Sequence, residues 1–300
     1  MKTYLLPLIS FFMGMVPQMN GQKFDSLDHI KSDAGQIYFS AGNKKRARSI
    51  TVQFEKAMVY YRDLLDYKPT VSLLILSNVD WGKYSTMGLV YGMPHYDPGS
   101  KTLFVAAEDN PFWKSFLPPL DGLPKGLRDQ IQTIYKNPNG DLSMQPFFDL
   151  LAIHELGHAF HYQYNLNMQR KWMGELFVNI LLHTYIAENE PHRLPALTVF
   201  PKMVVTAGSK EFKYTSLHDI EERYEEIGRN YPKNYGWFQC RWHSAAAGIY
   251  DEAGKIIGNK LWIALKSKKN TLTDNELISF LEVYAHKSLS NMIVHWNDQN

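Results

Sequence analysis

The chain has 300 residues, of which 45% are hydrophobic and 21% charged, and its formal net charge at pH 7 is +2. That length buries a sizeable core as one large domain or two lobes, and the near-balanced charge directs no field at nucleic acid or an anionic membrane. The one cysteine, Cys240, excludes an intramolecular disulfide and sits in an apolar helical pattern that reads as core.

Lys2, the apolar stretch Tyr4 to Val16 and the small residue Gly21 have the layout of a secretory signal peptide over residues 1–21. The stretch falls short of the ~20 residues that a membrane span needs. No later segment is long and apolar enough to cross a bilayer. The expectation is therefore a secreted or periplasmic chain without stable membrane insertion.

Residues 22–166 read as an α/β lobe. Asp25 to Asp66 shows helical spacing, clearest from Ser49 to Leu65, with Val52, Met58, Val59, Tyr61 and Leu65 as candidate buried positions. Lys44-Lys45-Arg46-Ala47-Arg48, the densest basic run, reads as a solvated loop or helix start. Val71 to Leu76 and Lys101 to Ala107 are rich in apolar and β-branched residues and predict two strands, with Gly88 to Tyr91 as a candidate partner. Five prolines punctuate Pro111 to Pro138, leaving room for a short helix at Leu127–Tyr135.

From Gln145 onward the pattern is helical: 146–164, 171–188, 192–205, 217–228, 235–252, 255–267, 274–286 and 289–296. Thr273 with Glu276 is a capping box. Residues 167–300 form a helical lobe, and the fold class is α+β, a small N-terminal sheet followed by a mainly helical lobe.

The stretch that carries chemistry is Ile153-His154-Glu155-Leu156-Gly157-His158-Ala159-Phe160-His161. Its H-E-x-x-H pattern lies inside a strong helix, where residues four apart share a face. His154 and His158 can therefore direct ring nitrogens at one ion. Glu155 lies beside them, able to reach a water without being a ligand. Zinc lowers the pKa of a bound water toward 7, and a nearby carboxylate can take its proton as it attacks a carbonyl. Gly157 leaves a bare patch against which another element can pack. His161, offset by three, points beside the site and reads as packed or bonded to the backbone.

Seventeen positions beyond His158, Glu175 opens the next helical segment, and Asn179 lies one turn further on the same face. A short turn over Asn165 to Arg170 would fold that helix back antiparallel and bring Glu175 over the motif. Glu188 and Glu190 are rivals, but they lie too far along. His154-Glu155-Leu-Gly-His158 followed by Glu175-x-x-x-Asn179 resembles the gluzincin metallopeptidases, the clan of thermolysin-like and aminopeptidase-like enzymes. A metzincin would need glycine at position 161 and histidine at 164, where this chain has His161 and Tyr164. The resemblance covers roughly residues 146 to 190. It implies zinc held by His154, His158 and Glu175, Glu155 as general base, and a peptide or protein substrate. Asn179 stands where the clan usually has Asp, and would accept a hydrogen bond from the far nitrogen of His154 or His158.

In that clan an edge strand before the motif helix lies along the cleft and pairs with extended substrate. Tyr91 to Tyr96 and Lys101 to Ala107 are the candidates, with His95 at the cleft or on the surface. Clan aminopeptidases carry a Glu in G-x-M-E-N; Gly92-Met93-Pro94-His95 lacks it, which favours an endopeptidase. Stabilising the oxyanion needs a donor beyond the metal. Tyr235 is the first candidate, with His243 and Tyr231 as alternatives. The Glu221-Glu222-Arg223 and Glu225-Glu226 runs read as a solvated face. The alternative function is an inactive zinc-holding homologue that binds peptides, which the intact Glu155 disfavours.

Overall fold

The structure is a computed structural model that describes residues 24–85, 88–117 and 120–299. The expected signal peptide, 1–21, lies outside the described residues. Chain order begins with strands β1 (Asp28–Ile30) and β2 (Gln36–Phe39), helix α1 (Lys44–Leu65), β3 (Ser72–Leu76), α2 (Asn78–Tyr84), β4 (His95–Asp97) and β5 (Thr102–Ala106). Helices α3 (Pro111–Lys114), α4 (Lys125–Ile134), α5 (Gln145–Tyr164), α6 (Lys171–Asn189) and α7 (Leu194–Thr206) follow. The chain continues through α8 (Leu217–Asn230), α9 (Pro232–Ala253), α10 (Ile257–Ser267), α11 (Asp274–Tyr284) and α12 (Lys287–Val294). The expected α+β class, a small N-terminal sheet and then helices, is the observed one.

The five strands are ordered β1-β2-β3-β5-β4. β2, β3 and β5 run parallel, while β1 and β4 are antiparallel edges. The central strand β3 reads SLLIL with Leu73 to Leu76 fully buried, the continuous apolar run of a strand covered on both faces. On one face, Ile50 and Phe54 of α1 and Ala152 and Ile153 of α5 meet Leu73 and Leu103. Phe104 points to the other face, where Trp81 of α2 approaches it edge-on at 6.5 Å.

Four expectations for this half are corrected. β1 and β2 lie inside the segment read as wholly helical. They are too short to show a period of two against the long helix that follows. Val52 and Val59 are 49% and 45% exposed; the buried stripe of α1 runs instead through Ala47, Ile50, Phe54, Ala57, Met58, Tyr61 and Leu65. The strand pairing with β5 is His95–Asp97, not Gly88 to Tyr91. Gly92 sets up this strand: its φ is 103°, and a Cβ there would meet the Asn110 amide at 2.5 Å, so only glycine fits. Arg46 is not solvated, since its guanidinium pairs through two hydrogen bonds with Asp149 on α5.

α5 and α6 form an antiparallel hairpin. Asn165 ends α5 in the left-handed conformation, with φ 56° and its N–H on His161 and Tyr162 carbonyls. The Leu166 N–H also reaches the His161 carbonyl at 3.0 Å, closing the helix end in Schellman fashion. Gly157 of α5 faces Val178 of α6 so closely that an added Cβ would sit 3.0 Å from its side chain. α6 is buried on nearly every side from Trp172 to Ile186, as befits a central helix. Its uncapped first turn is completed from α8: the Lys171 amide donates to Glu221 at 2.7 Å. Glu221 is thus a cap and not part of a merely solvated face. The capping box at Thr273 and Glu276 is present.

Candidate metal centre

His154 and His158 stand one turn apart on α5, and the hairpin brings Glu175 of α6 opposite them. One ligand atom from each of the three buried residues lies within 4.8 Å of the other two. His154 Nε2 is 3.2 Å from His158 Nε2 and 3.2 Å from Glu175 Oε2, and His158 Nε2 is 3.6 Å from Glu175 Oε1. Ligands ~2.05 Å from a tetrahedral ion are about 3.3 Å apart along each edge, so this spacing suits such an ion.

The far sides of the rings support the same reading. His154 Nδ1 lies 2.9 Å from Asn179 Oδ1. An amide oxygen only accepts, so Nδ1 carries the proton and Nε2 turns its lone pair inward. His158 Nδ1 lies 2.8 Å from His161 Nε2. His161, read as a bystander, instead orients a candidate ligand; its offset of three along the helix wraps it behind His158. Burial, with His158 nearby, holds His161 well below the usual imidazole pKa, so it stays neutral.

Glu175 is the most enclosed carboxylate of the group, 8% exposed. Burial alone would raise its pKa, but the adjacent imidazoles outweigh that and hold it well below the usual carboxylate range. Two inward ring nitrogens and an ionised carboxylate converging on one point favour a cation there. In the metal-free protein a proton serves: burial disfavours it on His158, yet Glu175 and Glu155 draw the His158 pKa upward. The same donors, with all three side chains deprotonated, could hold a metal ion.

Glu155 is more open, its side chain 17% exposed. Burial raises its pKa, partly opposed by His158 and His154. Its Oε2 accepts from the Tyr96 backbone N–H at 3.0 Å, and its Oε1 is 3.9 Å from His154 Nε2. The free edge of β4 is therefore engaged at Tyr96 by Glu155 itself. His95 is neither a cleft nor a surface residue: it is 5% exposed and stacks on Phe104 at 4.7 Å.

The helical lobe closes the far side with groups the sequence did not single out. Tyr224 of α8 donates to Glu175 Oε1 at 2.8 Å, and Gln239 of α9 donates to Oε2 at 3.1 Å. The same Gln239 amide donates to the Tyr235 hydroxyl at 2.8 Å, which in turn is 3.0 Å from the Tyr224 hydroxyl. Because the single Tyr224 proton goes to Glu175, Tyr235 must donate to Tyr224. Tyr235 thus reaches the site, but with its proton committed. His243 lies behind His154 with ring centroids 6.1 Å apart, and burial pushes its pKa down to about 3, keeping it neutral. Tyr231 points elsewhere, taking the Lys213 ammonium at 3.3 Å. Glu188 and Glu190 bond Tyr250 and Arg193 and do not approach the ligands. Cys240 is buried, which pushes its thiol pKa up to about 12 and makes it inert.

The only signal for Tyr224 was its place on the stripe Ile220, Tyr224, Ile227, a spacing that marks the buried face of α8. The chain matches no protein-family model and no curated protein sequence. Among the described residues, no helix is long and apolar enough to cross a membrane.

Proposed function

We propose that this protein is a zinc-dependent metallopeptidase of the gluzincin type, an endopeptidase acting on peptides or proteins outside the cytoplasm. The observation that carries the reading is the convergence of His154, His158 and Glu175 with Glu155 poised beside them and partly open to solvent. His154, His158 and Glu175 would hold a zinc ion, which would supply Lewis acidity toward a carbonyl and a more acidic water near neutral pH.

The chain's own groups do the rest. Glu155 takes a proton from the attacking water and delivers it to the leaving amine nitrogen. The Tyr96 N–H fixes one oxygen of that carboxylate and leaves the other for proton transfer. Asn179 and His161 hold the imidazole tautomers, while Tyr224 and Gln239 hold Glu175, the orienting contacts on which affinity and activity both depend.

The test is digestion of a peptide library by the zinc-loaded protein, with and without a chelator, alongside Glu155→Gln. Wild type should cut internal bonds, and chelation should stop it. Glu155→Gln should bind zinc normally while losing about 10²–10⁴-fold in rate. Normal zinc binding with an uncut library would replace the enzyme reading by that of a zinc-holding binding module.

A further inference from the structure

α9 carries two faces with different neighbours. Gln239 and His243 turn toward Glu175 and His154. Arg241, Ser244, Ala245, Gly248, Ile249 and Glu252, spaced three or four apart, form a stripe on the other side. That stripe is one wall of a cavity of about 420 Å³, to which α7 adds Val205 and α12 adds Ser288 and Met292. Such a volume suits a small-molecule site, where apolar walls carry a few placed polar groups.

The polar end is built around Arg241, which is 5% exposed. Its guanidinium lies over the Trp296 ring at 3.8 Å, with the Trp237 ring at 5.2 Å. One of its N–H groups donates to the Trp296 carbonyl at 2.7 Å. Trp296 is held in turn by its indole N–H, which donates to the Thr215 carbonyl at 2.8 Å. The planar fork is therefore preorganised. Burial lowers its pKa to about 10, which leaves it charged at neutral pH. Ser244 stands one turn further along the same stripe and lines the cavity beside it. Beyond Ser244 the wall is apolar. A Cβ added at Gly248 would meet nothing within 4 Å, so the helix backbone itself is the floor between Ala245, Ile249 and Met292. Glu252 stands at the opposite end of the stripe from Arg241, a polarity that turns the charged head of an anion toward Arg241.

We propose that this cavity binds an organic anion with an apolar tail, of the class of medium-chain carboxylates. The carboxylate meets Arg241, whose planar donors match two oxygens at once, with the Ser244 hydroxyl beside it. The tail lies along Ala245, Gly248 and Ile249. Arg241 to Ile249 is about 12 Å of helix, the order of length of extended octanoate. The site is separate from the metal centre and does not depend on the peptidase reading.

The experiment is calorimetry of octanoate, butanoate and octanol on the protein without added metal, so that no bound ion captures the carboxylate. Each buried methylene is worth roughly fourfold in affinity, so octanoate should bind more tightly than butanoate by about tenfold or more. Octanol keeps the tail without the charge and should bind about tenfold more weakly than octanoate. Gly248→Leu fills the open floor at an exposed helix position. It should cut octanoate affinity about tenfold without lowering stability in urea. Arg241→Gln should bring octanoate down to the level of octanol. Equal binding of octanoate and octanol by the wild type overturns the proposal, because Arg241 then plays no part. Unchanged octanoate affinity in Gly248→Leu overturns it too, by putting the ligand elsewhere, and so does a wild type that gives no heat with octanoate.

Discussion

The Tyr224 hydroxyl donates to Glu175 Oε1 at 2.8 Å although the two residues stand 49 positions apart. The contact fixes the carboxylate that completes the candidate metal centre and ties α8 to α6 at that point. Tyr224→Phe should lower zinc affinity about tenfold, the usual effect of losing an orienting hydrogen bond to a ligand. Competition with a chromophoric chelator measures it. An affinity equal to wild type would mean that Gln239 alone positions Glu175.

Tyr235 is the natural oxyanion donor from the sequence, but its proton goes to Tyr224 and its oxygen accepts from Gln239. Tyr235→Phe should therefore cost less than tenfold in kcat. A true oxyanion donor costs about 10²–10³-fold. Steady-state kinetics on any peptide cut by the wild type decides between them, and a loss of the larger size would show that the hydroxyl turns to substrate.

Gly157 is squeezed between the two candidate ligand histidines and Val178, where a Cβ would lie 3.0 Å from two Val178 side-chain carbons. Alanine in a helix ordinarily gains up to ~1 kcal/mol over glycine. Here α6 must give way, and overpacking of this kind costs about 1–3 kcal/mol. Gly157→Ala should be net destabilising by roughly 1–2 kcal/mol and should weaken zinc binding, because moving α6 separates Glu175 from His158. Urea unfolding and chelator competition read the two effects separately. Neutral stability would mean that Val178 rotates away freely.

The helix hairpin was legible because two signals coincided: an H-E-x-x-H pattern inside a long apolar helix, and Glu175 and Asn179 at the start of the next. Each helix is a mostly apolar run of 19 or 20 residues, too long for a strand, and the turn between is short. β4 was displaced to 88–91 because a strand of three residues after Pro94 carries almost no period; its position is fixed by stacking of His95 on Phe104, a tertiary contact. Tyr224 and Gln239 were hidden for a related reason. Each is an unremarkable polar residue locally, and acquires a role only when α8 and α9 cross α6. The basic run around Arg46 has the composition of a solvated segment, and only the buried Asp149 facing it in the fold gives Arg46 its partner.

His183, 6% exposed beside the Tyr250 ring, gives a pH dependence away from the ligands. Burial holds its pKa below the usual value, with Asp251 opposing only in part. The unfolded chain takes up a proton near pH 6.5, while the folded chain does so only at lower pH. Stability from this residue is therefore fully present above about pH 6.5 and is lost as pH falls toward the folded value, by up to about 1.4 kcal/mol per pH unit. Urea unfolding of the metal-free protein at several pH values between 5 and 7.5 should give a flatter dependence for His183→Gln than for wild type. Parallel curves would mean that the fold leaves the imidazole pKa where the unfolded chain has it.

Arg46 and Asp149 join α1 to the first half of α5, five residues before His154, through a paired guanidinium–carboxylate contact. Their side chains are only 15% and 11% exposed. Burial would lower the Arg46 pKa, but Asp149 outweighs it and the net shift is upward, so the guanidinium stays charged. Removing one partner strands the other in a poorly solvated place. Arg46→Ala should therefore cost about 3–5 kcal/mol, whereas the double change Arg46→Met with Asp149→Leu should recover most of it. A double-mutant cycle by urea unfolding isolates the coupling. A coupling under roughly 1 kcal/mol, the range of exposed pairs, would show that water reaches this pair. It would then contribute little to holding the motif helix on the sheet.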